Sequence, residues 1–148
     1  KYDSALLYGL EAGKYRLALK TPKDQIINIE YTRDKSKKKA AYKKSKAINL
    51  KSDIDSIYTS TEKAARWYKA SVSSTKKRKA VTLSKDSVGG GFKFCVYQKG
   101  KRLKTVKVTK NDKVKTVKLP KKKGAYYVKV TKLTSKTTGA YYLGTYTY

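Results

Sequence analysis

Short runs of alternating apolar and polar residues, separated by clusters of Gly, Asp, Asn, Pro and Lys, recur along this chain of 148 residues. An alternation of period two places every second side chain on one face of a β-strand, so each run predicts a half-buried strand. Many short strands at such spacing are typical of sandwiches and barrels. We therefore expect an all-β protein, an antiparallel two-sheet β-sandwich of jelly-roll type.

The runs predict strands over these segments: 4–10, 14–20, 25–32, 46–50, 55–60, 66–73, 79–84, 91–98, 103–109, 113–119, 125–132 and 140–147. Three of them have one fully apolar face, as a two-sheet core requires, formed by Tyr68, Ala70 and Val72, by Phe92, Phe94 and Val96, and by Tyr126, Val128 and Val130. Two stretches, 35–46 and 61–66, contain the Ala, Lys and Glu that favour helix. One short helix is therefore expected near one of them.

Two turns are indicated by their residues. Segment 98–101 contains Gly100, and segment 110–113 contains Asn111 and Asp112. These residue types adopt the positive φ that tight hairpins need, which predicts 91–98, 103–109 and 113–119 as consecutive antiparallel strands. The glycines at 89–91 suggest a flexible entry to the next strand. A phosphate-binding loop is the alternative, but the GK[ST] ending and the following helix are missing.

An internal repeat indicates the domain organisation. Segments 12–20 and 123–131 align with Gly13 on Gly124, Tyr15 on Tyr126, and two alternating aliphatic positions in register. Residues 1–33 are thus expected to be a hairpin region from the end of a preceding repeat, 34–46 a basic linker, and 47–148 a sandwich domain. Because an isolated hairpin with an apolar face rarely stays uncovered, it should pair with an edge strand, either here or in a second copy. Self-association by strand pairing is therefore expected.

Four segments after residue 46 follow one another at a characteristic spacing. They are 47–58, with two short strands; 65–72, with Trp67 and Tyr68; 92–101, a hairpin with Gly100; and 123–130, followed by 139–143. Together they resemble the bacterial pre-peptidase C-terminal domain family. The resemblance implies a non-catalytic accessory or structural module of a secreted or cell-surface bacterial protein, located outside the cell.

The resemblance also bears on metal binding. Family members often place acidic residues before the Trp-Tyr pair, where they can hold calcium, but this chain has Ala64, Ala65 and Arg66 there. Calcium takes about six to eight oxygen ligands, and the nearest acids are only Asp53, Asp55 and Glu62. No metal or other cofactor is expected.

The inventory of reactive side chains argues against an enzyme. The chain contains no histidine, the commonest general base and zinc ligand. Cys95 lies in the middle of a predicted strand, where an inert buried thiol is the simpler interpretation. The acids needed for glycoside hydrolysis would have to be Asp53, Asp55 and Glu62, in a predicted loop where a solvated or capping role is simpler.

Charge is the clearest indication of a partner. The chain has 38 Lys and Arg against 10 Asp and Glu, a net charge of +28. Such a field attracts anionic polymers such as wall teichoic acid or nucleic acid. The alternative is that the lysines only solubilise exposed strand positions. Lys outnumbers Arg, which argues against sequence-specific nucleic-acid recognition, and no apolar run is long enough for membrane insertion. The candidate polyanion-binding residues are Lys37, Lys38, Lys39, Lys43, Lys44, Lys76, Lys77, Arg78, Lys101, Arg102, Lys104, Lys121, Lys122 and Lys123.

Aromatic residues suggest a third possibility, carbohydrate binding. Trp67, the only tryptophan, should lie on the face opposite Tyr68 or at an end of the sandwich, where it either covers the core or forms a flat ligand platform. Base stacking would need exposed aromatic rings among the lysines, for which Tyr127, Tyr141, Tyr146 and Tyr148 are candidates. Plain cross-strand packing is the alternative role for these tyrosines.

Overall fold

A computed structural model describes residues 9–11, 13–16, 18, 20, 40–51, 53–59, 61–86 and 90–148 of the chain. Nine strands are present in these ranges: β1 (Ile48–Asn49), β2 (Ile54–Tyr58), β3 (Arg66–Val72), β4 (Lys79–Asp86), β5 (Phe92–Gln98), β6 (Lys101–Val108), β7 (Val114–Lys118), β8 (Gly124–Lys132) and β9 (Gly139–Thr147). A single 3-10 turn, Lys44–Lys46, precedes β1. The predicted all-β class is confirmed.

The strands form two sheets that pack as a β-sandwich. Sheet A has the order β1-β3-β8-β5-β6, and sheet B has the order β2-β9-β4-β7. Every pairing is antiparallel except that of β1 with β3. β1 pairs parallel with β3 because the short loop between β1 and β2 sends the chain to the other sheet rather than into a hairpin.

One predicted pairing is wrong. β6 and β7 were expected to be hairpin neighbours, but β7 pairs with β4 in sheet B while β6 pairs with β5 in sheet A. The turn between them is closed by Asp112, whose carboxylate accepts hydrogen bonds from Thr109 at 2.8 Å (backbone N) and 2.7 Å (hydroxyl). The turn therefore carries the chain across the sandwich, a crossing that turn-forming residues alone do not distinguish from a hairpin.

The predicted helical stretches are mostly not helical. Residues 61–65 form a loop and Arg66 begins β3, so helix at 61–66 is wrong. Within 35–46, the described residues contribute only the 3-10 turn. Of the hairpin region expected before residue 34, residues 9–11, 13–16, 18 and 20 are described and none of them is in a strand.

The core lies between the sheets and is rich in tyrosine. All three predicted apolar faces, on β3, β5 and β8, point into it. Inside the core, the hydroxyl groups of Tyr68 and Tyr141 are 2.5 Å apart, and Ser56 Oγ is 2.8 Å from that of Tyr68. The hydroxyl of Tyr58 donates to the carbonyls of Ala64 and Val130. Buried hydroxyls need partners, and here the phenols supply them to one another and to the backbone.

Candidate functional site

Three of the predicted basic clusters lie at one end of the sandwich. They occupy the β3–β4 loop with the start of β4 (76–79), the β5–β6 turn with the start of β6 (99–104), and the β7–β8 loop (121–123). We call this set the basic end.

Strand pairing brings these segments together. β3 ends at Val72 opposite Gly124, the first residue of β8. β5 ends at Gln98, which pairs with Tyr126 of β8 on one side and Lys101 of β6 on the other. In sheet B, Ala80 near the start of β4 pairs with Lys118, the last residue of β7. All three connections therefore leave the sheets at the same end.

One described acid, Asp53, lies toward this end, where it precedes β2 and lies against Gly144 of β9. Residues 72–85, 92–111 and 113–148 contain no Asp or Glu. Two ion pairs of the described residues join Arg66 to Glu62 and Lys115 to Asp112. Glu62 lies in the β2–β3 loop and Asp112 in the β6–β7 turn, both at the opposite end of the sandwich. Neither of these two ion pairs therefore involves a residue of the basic end.

Backbone hydrogen bonds hold the loops of the basic end in place. Arg78 and Tyr148 exchange two of them, at 3.1 and 3.0 Å, and Leu119 donates to the carbonyl of Lys79 at 2.8 Å. The hydroxyl of Tyr126 donates to the carbonyl of Lys122 at 2.9 Å. The lysine side chains of the three segments are exposed except for that of Lys79, which is half-buried and donates from its ammonium to the carbonyl of Ser71 at 2.7 Å.

The remaining predicted lysines do not all join this set. Lys43 and Lys44 precede β1 at the edge of sheet A, and the ammonium of Lys44 lies 4.7 Å from the ring centroid of Tyr127. Lys37, Lys38 and Lys39 lie outside the described residues. The sequence clusters omitted Lys118, whose ammonium lies 5.4 Å from the ring of Tyr148 beside the basic end. In the sequence Lys118 stands alone between Val117 and Leu119, so it belongs to no cluster of basic residues.

A groove of about 350 Å³ opens between β6 and β7, next to the basic end. It lies where the two sheets separate, since β6 and β7 belong to different sheets and do not pair. Its lining combines apolar residues with a threonine and two lysines: Val96, Leu103, Lys104, Thr116, Val117, Lys118, Leu119 and Pro120.

Trp67 lies on the outer face of sheet A, opposite the core side of β3, as one of the two predicted positions requires. Its ring centroid is 5.6 Å from that of Tyr97 and the planes are tilted by 46°. Among the tyrosines proposed for stacking, Tyr127 is half-buried and Tyr146 and Tyr148 are exposed. Tyr141 is fully buried in the core, so its prediction as an exposed ring is wrong.

Two of the candidate acids, Asp53 and Glu62, lie far apart, and the side chain of Asp55 is outside the described part of the structure. Glu62 is held by the guanidinium of Arg66, at 2.9 Å (Nε) and 2.7 Å (Nη2). Asp53 precedes β2 and lies against Gly144 of β9, so the length of β2 separates it from Glu62. No group of three or more His, Cys, Asp and Glu side chains capable of holding a metal occurs within the described ranges.

Cys95 is buried on β5, and its Sγ is 3.4 Å from the hydroxyl of Thr105 on the neighbouring β6. This position agrees with the sequence interpretation of a thiol in mid-strand.

Comparison with known proteins gives a structural similarity. The chain is similar to a solved pre-peptidase C-terminal domain of the collagenase from Bacillus anthracis, with 18% sequence identity and a TM-score of 0.48. The match covers 68% of this chain and 92% of that domain. No protein-family model matches the sequence, and no curated protein matches it significantly. Within the described part of the chain, no helix has the length and apolar character needed to cross a membrane.

Proposed function

We propose that this chain is a non-catalytic accessory module of a secreted or cell-surface bacterial protein, and that it binds anionic polymers through the basic end. One observation carries the binding proposal: segments 76–79, 99–104 and 121–123, far apart in sequence, meet at one end of the sandwich, away from the ion pairs that Glu62 and Asp112 form at the other end. A coat that served only solubility would have no need to converge in this way.

Binding would follow from simple electrostatics. Each lysine that meets a charged group of the polymer displaces a condensed counterion, so the affinity falls steeply as salt is added. Lysine ammonium groups are compact point charges without a fixed hydrogen-bonding plane. The site therefore favours a repeating anion, such as a phosphate or carboxylate polymer, over one defined base sequence.

The non-catalytic and extracellular parts of the proposal rest on other observations. The acids that might have served catalysis are separated, with Glu62 tied to Arg66 and Asp53 beyond the far end of β2. The extracellular location rests on the motifs that resemble the pre-peptidase C-terminal domain family. Those motifs include Trp67 and Tyr68, which lie on β3, and 123–130, which forms most of β8.

The test removes charge from one end at a time. Lys76, Lys77, Lys121 and Lys122 are changed together to Gln in one variant, and Lys63, Lys110, Lys113 and Lys136 in its control. All of these lysines are exposed, the charge removed is the same, and the control positions lie at the opposite end. Binding to inorganic polyphosphate, wall teichoic acid and neutral dextran is measured by calorimetry from low to high salt.

We expect the native protein to bind both anionic polymers and not dextran, with a logarithmic affinity that falls linearly with the logarithm of salt. The basic-end variant should bind at least about tenfold more weakly with a shallower salt slope, since fewer counterions are released. The control variant should stay close to the native protein. Equal losses in both variants would show that only net charge matters and would defeat the proposed site.

A further inference from the structure

The outer face of sheet A carries aromatic rings among cations. Alternation along the strands places Trp67, Tyr97 and Tyr127 on this face, one each from β3, β5 and β8. We call these three residues the aromatic shelf. The cations that share the face are Lys69, Lys93, Arg102, Lys107 and Lys129.

Strand register places the shelf in a compact patch. Lys69, Tyr127, Tyr97 and Arg102 form one row across four neighbouring strands, since each pairs with the next. Trp67 belongs to the next row, beside Lys129. The rings of Trp67 and Tyr97 reach each other across β8, at 5.6 Å between centroids.

Ammonium groups lie over two of the rings. Lys129 Nζ is 5.6 Å from the ring centroid of Trp67, and Lys44 Nζ is 4.7 Å from that of Tyr127. Such contacts at partly exposed sites are weak, so both lysines can turn to an incoming anion. A ligand that carries an anionic group beside a ring-sized apolar surface would engage the ammonium and occupy the ring face that it leaves.

The shelf continues into the basic end. Tyr97 and Gln98 lead directly into the Lys99–Gly100 turn, and Arg102 pairs with Tyr97. A chain-like ligand lying across Trp67 and Tyr97 would therefore be able to reach the lysines of that turn.

We propose that the aromatic shelf binds the sugar rings of an anionic polysaccharide, such as a uronic-acid polymer, while further carboxylates of the same polymer lie on the basic end. This inference rests on the proposed function and names its ligand class. A pyranose ring presents an apolar C–H face that packs against an aromatic ring, and the carboxylate at its rim meets an ammonium.

The chemistry of the shelf favours sugars over nucleobases. Discrimination of base edges relies on bidentate Arg, Asn or Gln contacts, whereas lysines and the hydroxyls of Thr105 and Thr131 supply most of the polar groups on this face. The shelf is also an open sheet surface on which the rings are tilted relative to each other. It does not form a slot between two parallel rings, into which a planar base would insert.

Trp67 makes the test direct because it is the only tryptophan of the chain. Its fluorescence is followed during titration with polygalacturonate, which has sugar rings, and with inorganic polyphosphate, which has none. Single-stranded DNA is the third ligand. The variants are Tyr97→Ala and Tyr97→Phe on the shelf, and Tyr146→Ala, an exposed tyrosine on β9, as the matched control. Thermal unfolding establishes that each variant is folded.

We expect polygalacturonate to shift the emission of Trp67 and polyphosphate to leave it unchanged. Tyr97→Ala should weaken polygalacturonate binding about tenfold, by analogy with loss of a stacked base, without affecting polyphosphate. Tyr97→Phe and Tyr146→Ala should bind polygalacturonate like the native protein. This pattern would establish the shelf as a sugar-binding surface.

Three results would overturn the inference. If both polymers bind but the emission and the Tyr97→Ala affinity stay unchanged, the shelf is not used while the basic end remains a polyanion site. If neither polymer binds, the proposed function fails together with the inference. If single-stranded DNA shifts the emission and binds more tightly than polygalacturonate, the shelf is a nucleic-acid surface instead.

Discussion

Arg66 begins β3 with its guanidinium group buried beside the core. Besides its two bonds to Glu62, it donates to the carbonyl of Ile57 at 2.5 Å and lies 4.3 Å from the ring of Tyr58. The two charged side chains are only 10% and 13% exposed. Burial alone would lower the pKa of Arg66, but the hydrogen bond to Glu62 opposes this and the pKa is raised. The pair therefore stays ionised and ties the β2–β3 loop to the start of β3.

Replacing only Arg66 should destabilise the fold strongly. Arg66→Met leaves Glu62 charged and without its partner in a mostly buried place, which we expect to cost about 3 kcal/mol in the free energy of unfolding. The double variant Arg66→Met, Glu62→Leu should recover much of this loss, because no lone charge remains. Urea unfolding measures both, and a double variant as unstable as the single one would contradict this explanation.

Burial of the core tyrosines makes stability depend on alkaline pH. Desolvation raises the pKa of Tyr58, and that of the fully buried Tyr141 rises well above its ordinary value. In the unfolded chain a tyrosine ionises near pH 10. The contribution of these groups is thus fully present below about pH 10 and is lost as the pH rises further, because only the unfolded state then releases the proton.

Tyr141→Phe isolates this effect. At pH 7 the variant should be about 1 kcal/mol less stable, since the hydroxyl bonded to Tyr68 is gone. Above pH 10 the stability advantage of the native protein over Tyr141→Phe should shrink by up to about 1.4 kcal/mol per pH unit. At still higher pH the variant should become the more stable of the two. Urea unfolding at several pH values measures this, with the exposed Tyr146→Phe correcting for general effects of alkali. A constant difference between native protein and Tyr141→Phe across the pH range would refute the argument.

At the scale of single elements, strand positions followed closely from the sequence. β3, β5, β8 and β9 begin and end within about a residue of the prediction, because alternation and turn residues are local properties. Pairing was less predictable. The turn at 110–113 was correctly located, but whether it joins strands of one sheet or of two depends on what lies across the sandwich.

The β5–β6 turn has the geometry of a two-residue hairpin with positive φ at both central positions, 47° at Lys99 and 80° at Gly100. No other atom lies within 4 Å of a Cβ built on Gly100. A side chain at position 100 is therefore disfavoured by the backbone conformation and not by a steric clash. A substitution of Gly100 thus measures the backbone preference alone.

Gly100→Ala should destabilise the protein by about 1 kcal/mol, because a residue with a Cβ is strained in the left-handed region. Lys99→Asn should give a small gain in stability, since Asn-Gly is the favoured pair in this turn. Chemical denaturation of both variants measures the two effects. Equal stability of native protein and Gly100→Ala would mean that the turn changes shape.

Charge is distributed unevenly over the whole molecule. Of the described acids, Glu62 and Asp112 lie in loops at the end opposite the basic end, and Glu11 accepts a hydrogen bond from Thr61 of one of these loops. Asp53, in contrast, precedes β2 on the side of the basic end. An uneven field orients a charged partner as it approaches. The approach of a polyanion should therefore be directed toward the basic end.

Self-association by strand pairing is a proposal that belongs to this scale. Among the described strands, β1 and β6 are the edges of sheet A and β2 and β7 those of sheet B. Both β6 and β7 carry lysines, including Lys104, Lys107 and Lys115. Lysines on edge strands oppose pairing between copies. We expect a monomer at low salt and association near 1 M salt, where the Debye length is about 3 Å.

Sedimentation velocity at rising salt measures this association, and changing Lys104 and Lys107 to Thr should shift it to lower salt. Salt should therefore favour self-association while it weakens polyanion binding. A protein that remains monomeric at high salt and high concentration would rule out pairing through β6.

The sequence by itself determined the all-β class, the strand positions, the apolar core faces and the excess of positive charge, because each depends on residue types and their local spacing. Tertiary structure alone decided which strands are neighbours and where each connection leaves its sheet. Those long-range pairings gathered three separate lysine segments at one end, placed Trp67 beside Tyr97, and directed Tyr141 inward and Tyr142 outward. Alternation along a strand indicates that one ring of a Tyr-Tyr pair is buried. Only the position of the facing sheet determines which of the two rings it is.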